Sequence, residues 1–131
     1  MACECDNGCE TCPPKGYICL PRGDAVLIKI SVRENSCDGD LFDISGASEI
    51  VFLVADSLGG TARFTKKLST GGIAVSTNGF ELYFTITSAD CDSLVKQTNY
   101  FECRITTAAG LPKTVLTGVF KSPDTMIKEL P

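Results

Sequence analysis

Short runs of apolar residues in strand period, each bounded by turn residues, dominate the chain from residue 25 onward. In AVLIKISV (25–32) a branched aliphatic residue recurs at every second position, so an extended strand would have one apolar face. SEIVFLVAD (48–56) is a nearly continuous apolar run, and YFECRITTA (100–108) alternates again. TNG (77–79) predicts a hairpin, because Asn-Gly tolerates the positive φ angles of tight turns. The pattern predicts antiparallel strands joined by short connections.

About seven such strands and no long amphipathic helix favour an all-β sandwich of one domain. We expect three segments: a cysteine-rich N-terminal arm (1–21), the sandwich (22–124) and a C-terminal tail (125–131). The residues predicted to form the core are the inward-facing ones of the alternating runs: Val26, Ile28, Ile30, Ile50, Phe52, Val54, Leu82, Phe84, Ile86, Phe101, Ile105, Val115 and Phe120.

Composition excludes several classes of function. The chain has 131 residues, a net charge of −4 and no histidine. The missing histidine excludes general acid–base and nucleophilic chemistry that depends on it, and no other catalytic set is evident, so we expect no enzyme. The acidic balance argues against nucleic-acid binding. No apolar run approaches the roughly 20 residues of a membrane span, and the N-terminus lacks the pattern of a signal peptide.

The leader carries most of the chemistry that the sequence offers. Five of the eight cysteines lie in the first 19 residues, and they are Cys3, Cys5, Cys9, Cys12 and Cys19. Four thiolates could bind zinc or an iron–sulfur cluster, and Cys9 and Cys12 have the spacing of one zinc knuckle. Disulfides within or between chains, or free thiols, are the alternatives. With few apolar residues, the leader needs covalent links, a metal or a partner to become ordered.

Other motifs have ordinary structural explanations. We interpret Arg22–Asp24 (RGD) as the turn that begins the first strand of the sandwich, and Asp38, Asp40 and Asp43 as a solvated loop rather than a calcium site.

The positions of the remaining three cysteines are predicted from the alternation of apolar residues and from the loops between the strands. Cys103 is predicted to face inward as a small apolar residue, whereas Cys37 and Cys91 are predicted to lie in loops. Ser88, with Asp90 or Asp92, could cap a single helical turn.

Several motifs in order resemble the immunoglobulin-like β-sandwich of tailed-bacteriophage virion proteins, as in upper baseplate and fibre proteins. The residues that carry the resemblance are Arg22–Asp24, Asp43–Ala47, Thr87–Leu94, Tyr100–Glu102 and Thr114–Phe120, within residues 20–124. The resemblance implies an immunoglobulin-like fold and a structural role in a virion assembled in the host cytoplasm. It also implies Tyr100 as a tyrosine corner, with its hydroxyl bonded to nearby backbone.

Three functions follow as expectations. The first is a virion component on the tail, baseplate, neck or capsid surface, which contacts symmetric copies of a partner or of itself, with residues 1–20 at an inter-subunit contact. The second is a small metal- or redox-responsive protein that uses the leader cysteines. The third, an adhesin or carbohydrate-binding sandwich, is weakened because the chain has no tryptophan for stacking on sugars.

Overall fold

The structure, a computed structural model, describes residues 15–33 and 40–123, together with the backbone of residues 2–4. It is an all-β sandwich with one short helix, which confirms the predicted fold class. The elements are β1 (Ala2–Glu4), β2 (Lys15–Cys19), β3 (Val26–Ser31), β4 (Glu49–Ala55), β5 (Ala62–Lys67), β6 (Ala74–Val75), β7 (Glu81–Ile86), α1 (Ser88–Asp92), β8 (Thr98–Thr106) and β9 (Pro112–Lys121).

The strands form two sheets with immunoglobulin-like connectivity. The larger sheet has the order β1-β2-β9-β8-β4-β5, and the smaller has the order β3-β7-β6. Strands β3, β7 and β6 thus correspond to strands B, E and D of an immunoglobulin domain, and β9, β8, β4 and β5 to G, F, C and C′. The predicted hairpin is confirmed: β6 pairs with β7 across a turn in which Gly79 has a φ of +80°.

The core lies between the two sheets and is centred on aromatic rings from both. Phe52 of β4 packs 4.4 Å from Phe84 of β7 and 5.5 Å from Phe101 of β8, measured between ring centroids. Twelve of the thirteen residues predicted for the core are buried. Val26 differs, since it is only partly buried against the cluster. It begins β3, an edge strand, and no further described strand covers it on that side.

The boundary of the predicted arm differs from the structure. Lys15–Cys19 is β2, a strand of the larger sheet, and it pairs in parallel with β9. Ile18 and Leu20, both 5% exposed, belong to the core. The sandwich therefore begins at about residue 15 rather than 22, and it has one parallel pair of strands. The cysteine and proline content of the leader obscured this short alternation.

Glycines allow β2 to approach β9 closely. Gly16 lies opposite Gly118 in the register of the two strands. A Cβ added at Gly118 would overlap the backbone carbonyl of Gly16 and lie 2.7 Å from the Phe101 ring. A side chain at position 118 is therefore incompatible with this packing of β2.

The Arg22–Asp24 turn joins the larger sheet to the smaller one. Gly23 has a φ of +94° there, and the Asp24 amide donates to the Pro21 carbonyl at 3.1 Å. The Arg22 guanidinium donates to the carbonyls of Cys91 and Leu94 at 3.0 and 2.9 Å. Arg22 is thus a structural residue that fastens this turn to the end of α1, a role that the turn prediction did not include.

Helix α1 corrects two local predictions. Its N-cap is Thr87 rather than Ser88, and Thr87 forms a capping box with Asp90. Cys91 lies in this helix with its side chain fully buried, not in a loop. The helix has only five residues, too few for a periodic sequence signal.

The predicted tyrosine corner does not form with the described residues. In immunoglobulin domains the tyrosine lies two residues before a buried cysteine of strand F. Here Phe101 occupies that position, two residues before the buried Cys103. Tyr100 lies on the opposite face of β8, and its hydroxyl has no hydrogen bond to any residue that the structure describes.

Candidate interaction surfaces

Two of the leader cysteines, Cys3 and Cys19, lie on described strands of the larger sheet. Cys5, Cys9 and Cys12 lie outside the described residues, and Cys3 lies in the backbone of β1. The side chain of Cys19 is exposed on β2. The register places Cys3 opposite Gly16, three residues and therefore about 10 Å along the strand from Cys19. That separation exceeds the Cα distance of a disulfide, so these two cysteines of one chain do not pair in this register.

The three cysteines whose side chains are described differ in exposure, since Cys91 and Cys103 are buried and Cys19 is exposed. Burial raises the pKa of the Cys103 thiol to about 12, and burial also raises the pKa of Cys91. Both are therefore protonated and shielded near neutral pH. Cys19 is exposed beside Tyr17, and burial together with a hydrogen bond to Cys19 raises the pKa of the Tyr17 hydroxyl. Cys37 lies outside the described residues.

The acidic loop contains no arrangement of ligands within the part of the chain that is described. Asp40 is exposed, Asp38 lies outside the described residues, and Asp43 accepts bonds from the Ser45 amide and hydroxyl at 2.9 and 2.6 Å. Those bonds lower the pKa of Asp43 and form a local turn. Among all the residues that the structure describes, no group of three or more histidine, cysteine or acidic side chains is placed to bind a metal.

Within that same part of the chain, no helix is long and apolar enough to cross a membrane.

The first candidate surface is the free edge of β3. The Val32 amide donates to the Phe80 carbonyl at 3.0 Å, which fixes the hydrogen-bond parity of the β3–β7 pair. Even-numbered residues of β3 therefore bond to β7, whereas the amides and carbonyls of Leu27, Lys29 and Ser31 point to the other side. No described strand lies there. Six backbone groups of a regular strand thus have no described strand opposite them.

The other edges of the two sheets are shorter or better protected. Strand β6 has two residues and β1 has three. Strand β5 has six residues, but three of them, Arg63, Lys66 and Lys67, are charged, and the register shifts between Val54 and Ala55 of β4. Charges and bulges of this kind discourage pairing between edges. Strand β3 has one charge, Lys29, so it is the least protected long edge among the described strands.

The second candidate surface is the outer face of the larger sheet. Its cross-strand partners form an apolar row of three accessible residues, Tyr17, Val119 and Tyr100, which ends at Ala55, a buried residue that is 5% exposed. A groove of about 630 Å³ crosses this face, and Lys15, Leu53, Tyr100 and Val119 contribute to its lining. Leu58 at the rim is 82% exposed. We call this surface the outer groove.

The two surfaces could be predicted from the sequence only in part. Alternation places Tyr100 on the face opposite Phe101, so the sequence predicts an outward-facing aromatic residue. The pairing of strands could not be predicted from the sequence, and both the free edge and the apolar row depend on it. The closest sequence signal for the outer groove is the alternation of β8 itself.

The chain was compared with protein-family models, with curated proteins and with solved structures. No protein-family model matches the chain, and no curated protein matches it. Among solved structures, CopC from Methylosinus trichosporium OB3b is similar over 99% of this chain and 100% of its own, with 11% identity and a TM-score of 0.47. Extracellular domains 3–5 of Drosophila OTK are similar over 85% of this chain and 32% of theirs, with 14% identity and a TM-score of 0.37.

Proposed function

We propose that the chain is a non-enzymatic structural component of a tailed-phage virion that acts through protein–protein contacts. The virion character rests on the resemblance of the ordered motifs within residues 20–124. The observation that carries the contact role is the free edge of β3, with the backbone groups of Leu27, Lys29 and Ser31 directed away from β7. The sites of incorporation are the tail, the baseplate, the neck or the capsid surface.

Strand addition is the mode of contact that such an edge supports. An extended segment of a neighbouring virion protein would align along β3 and exchange main-chain hydrogen bonds with these three residues. It would also cover Val26, the one predicted core residue that remains only partly buried. Repetition of this contact around a symmetric particle would place many copies of the chain in equivalent positions.

A proline at position 29 tests this mode without breaking the sandwich. The amide of Lys29 points to the free edge, so Lys29→Pro removes an outward donor and leaves the β3–β7 bonds in place. Lys29→Ala removes the same charge and keeps the donor. We expect both variants to fold, and only Lys29→Ala to be incorporated into particles of the phage that encodes the chain. Equal incorporation of the two variants would contradict the contact at β3.

The leader is proposed as the second contact, and the pairing of β2 with β9 sets the boundary of the deletion that tests it. A deletion of residues 1–20 would remove β2 and expose the core, so the deletion should end at residue 14. We expect the shortened chain to remain folded and to lose incorporation. A chain that lacks residues 125–131 is the matched control. Non-reducing electrophoresis of particles would show covalent multimers if leader cysteines link copies.

A metal- or redox-responsive leader is the second candidate function. The observation that favours it is the exposure of Cys19, whereas Cys91 and Cys103 are buried and protonated. Element analysis of the native full-length chain would support this candidate with one equivalent of zinc or with iron and sulfide. Metal-free protein that still enters particles would reject it.

A further inference from the structure

The end of the core near α1 contains two polar side chains, those of Asn99 in β8 and of Ser122 directly after β9. Both residues are fully buried, whereas the other buried residues in the described part of the chain are apolar or are cysteines. The Oδ1 of Asn99 and the Oγ of Ser122 have no hydrogen-bond partner among the described residues. Burial of a polar atom without a partner is costly, so native proteins pair such atoms with protein groups or with ordered water.

Hydrogen bonds fix the position of both side chains. The Nδ2 of Asn99 donates to the Lys96 carbonyl at 2.9 Å. Exchange of the amide oxygen and nitrogen would place two oxygens against each other, so Oδ1 is the atom that still needs a donor. The amide of Ser122 donates to the Gln97 carbonyl at 2.8 Å, which continues the β8–β9 pairing and holds the hydroxyl at this end of the sheet.

The register of β8 and β9 brings the two oxygens close together. Asn99 pairs with Phe120, and Ser122 follows Phe120 by two residues on the same buried face. Such diagonal neighbours have Cβ atoms roughly 7 Å apart. A water molecule that makes two hydrogen bonds of about 2.8 Å can bridge oxygens that are about 5 Å apart. The spacing of the two side chains therefore suits one bridging water.

The thiol of Cys91 is a third polar group at this place. Cys91 is fully buried in α1, and burial raises the pKa of its thiol, whereas the neighbouring Ser122 hydroxyl opposes this rise. A thiol is a weak donor and a weak acceptor of hydrogen bonds. The Arg22 guanidinium holds α1 over the end of the sheet, because it donates to the carbonyls of Cys91 and Leu94 at 3.0 and 2.9 Å.

From this arrangement we infer that Asn99, Ser122 and Cys91 bind one buried water molecule. The water donates one hydrogen to the Asn99 Oδ1 and the other to the Cys91 sulfur, and it accepts the hydroxyl hydrogen of Ser122. Three partners are typical of a buried water. The water thus links α1 to the adjacent ends of β8 and β9. This inference goes beyond the proposed function and does not depend on it.

A crystal structure of the full-length chain that shows ordered waters tests the inference directly. We expect one water within about 3.2 Å of both the Asn99 Oδ1 and the Ser122 Oγ. In solution, oxygen-17 relaxation dispersion measures the number of long-lived waters. Ser122→Val removes one partner and fills space with methyl groups, so it should lose one long-lived water. Ser31→Val, the same substitution at an exposed position of β3, should lose none.

Several results would overturn the inference. One is a crystal structure in which the Asn99 Oδ1 bonds directly to the Ser122 hydroxyl. Another is a protein group from residues 34–39 or 124–131 that bonds to either oxygen in place of water. A number of long-lived waters that is the same in Ser122→Val and in the unaltered chain would also overturn it. The crystal structure needs no substitution, so it decides the question even if Ser122→Val does not fold.

Discussion

The two sheets of the sandwich bury their inner faces alike but end differently. Both contribute fully buried residues to one core, such as Phe52 from the larger sheet and Leu82 from the smaller. The larger sheet is extended by β2 and β1 on one side and ends in the charged, irregular β5 on the other. The smaller sheet ends in β3, a regular strand whose outward backbone groups have no described partner. Stability thus depends on the shared core, whereas the capacity for contacts depends on the edges and outer faces.

The largest expected effect is at the ring contact between the sheets. Phe84→Ala removes a side chain that is 3% exposed and packs on Phe52, and it should lower the free energy of unfolding by about 3–5 kcal/mol. Val26→Ala, at the open edge, should cost about 1 kcal/mol because Val26 is already partly exposed. Urea denaturation measures both losses. Equal losses at the two sites would contradict the difference between core and edge.

A second variant tests the extension of the larger sheet by β2. Gly118→Ala should cost about 1–3 kcal/mol because the new methyl group would displace Gly16 and β2. Gly46→Ala is the matched control, since no atom lies within 4 Å of the position of its added Cβ. Thermal denaturation of both variants gives the comparison. If Gly118→Ala is as stable as Gly46→Ala, β2 is not packed on β9 as described.

The connection between the two sheets can be weakened on its own. Arg22→Gln should destabilise the chain by about 1–3 kcal/mol, because two carbonyls at the end of α1 lose a charged donor. Arg104→Gln changes an exposed residue whose ion-pair partner within the described part of the chain is Glu102, and it should cost less than about 1 kcal/mol. Chemical denaturation at constant pH separates the two. Loss of less than 0.5 kcal/mol, roughly the scatter of surface substitutions, at Arg22 would remove its fastening role.

The smallest expected effect is on how the free energy of unfolding changes at acidic pH, and it concerns Asp90. Burial by itself would raise the pKa of Asp90, but its bonds with Lys66 at 2.7 Å and with the Thr87 amide at 2.8 Å outweigh burial and lower the pKa. A carboxyl with a lowered folded-state pKa contributes stability above its unfolded pKa of about 3.9, and the contribution disappears as the pH falls through the folded-state value.

Asp90→Asn should therefore lose stability at pH 7 and flatten the decline of stability between about pH 5 and pH 2. Unfolding free energies measured across this range for the variant and the unaltered chain give the two slopes. Asp40→Asn, which changes an exposed residue with no bond to the helix, serves as the control. Parallel profiles for Asp90→Asn and the unaltered chain would contradict a contribution from this ion pair.

Alternation predicted the faces of the strands well, because a strand with one buried face has a period of two residues. It placed Phe101, Cys103 and Ile105 inward, and all three are buried. It did not find β2, since Ile18 and Leu20 provide only two alternating residues among cysteines and prolines. It also missed the burial of Cys91, which lies in α1, a helix of five residues that is too short for a periodic sequence signal. The free edge of β3 depends on strand order, which no local pattern specifies.

Amide hydrogen exchange along β3 tests the central claim most directly. In the isolated chain, residue-resolved NMR should show fast exchange at Leu27, Lys29 and Ser31 and slow exchange at Ile28 and Ile30, whose amides bond to β7. When the chain is incorporated into particles, mass spectrometry of the β3 peptide should show added protection of about three amides. Uniform protection along β3 in the isolated chain, or unchanged exchange after incorporation, would contradict the account.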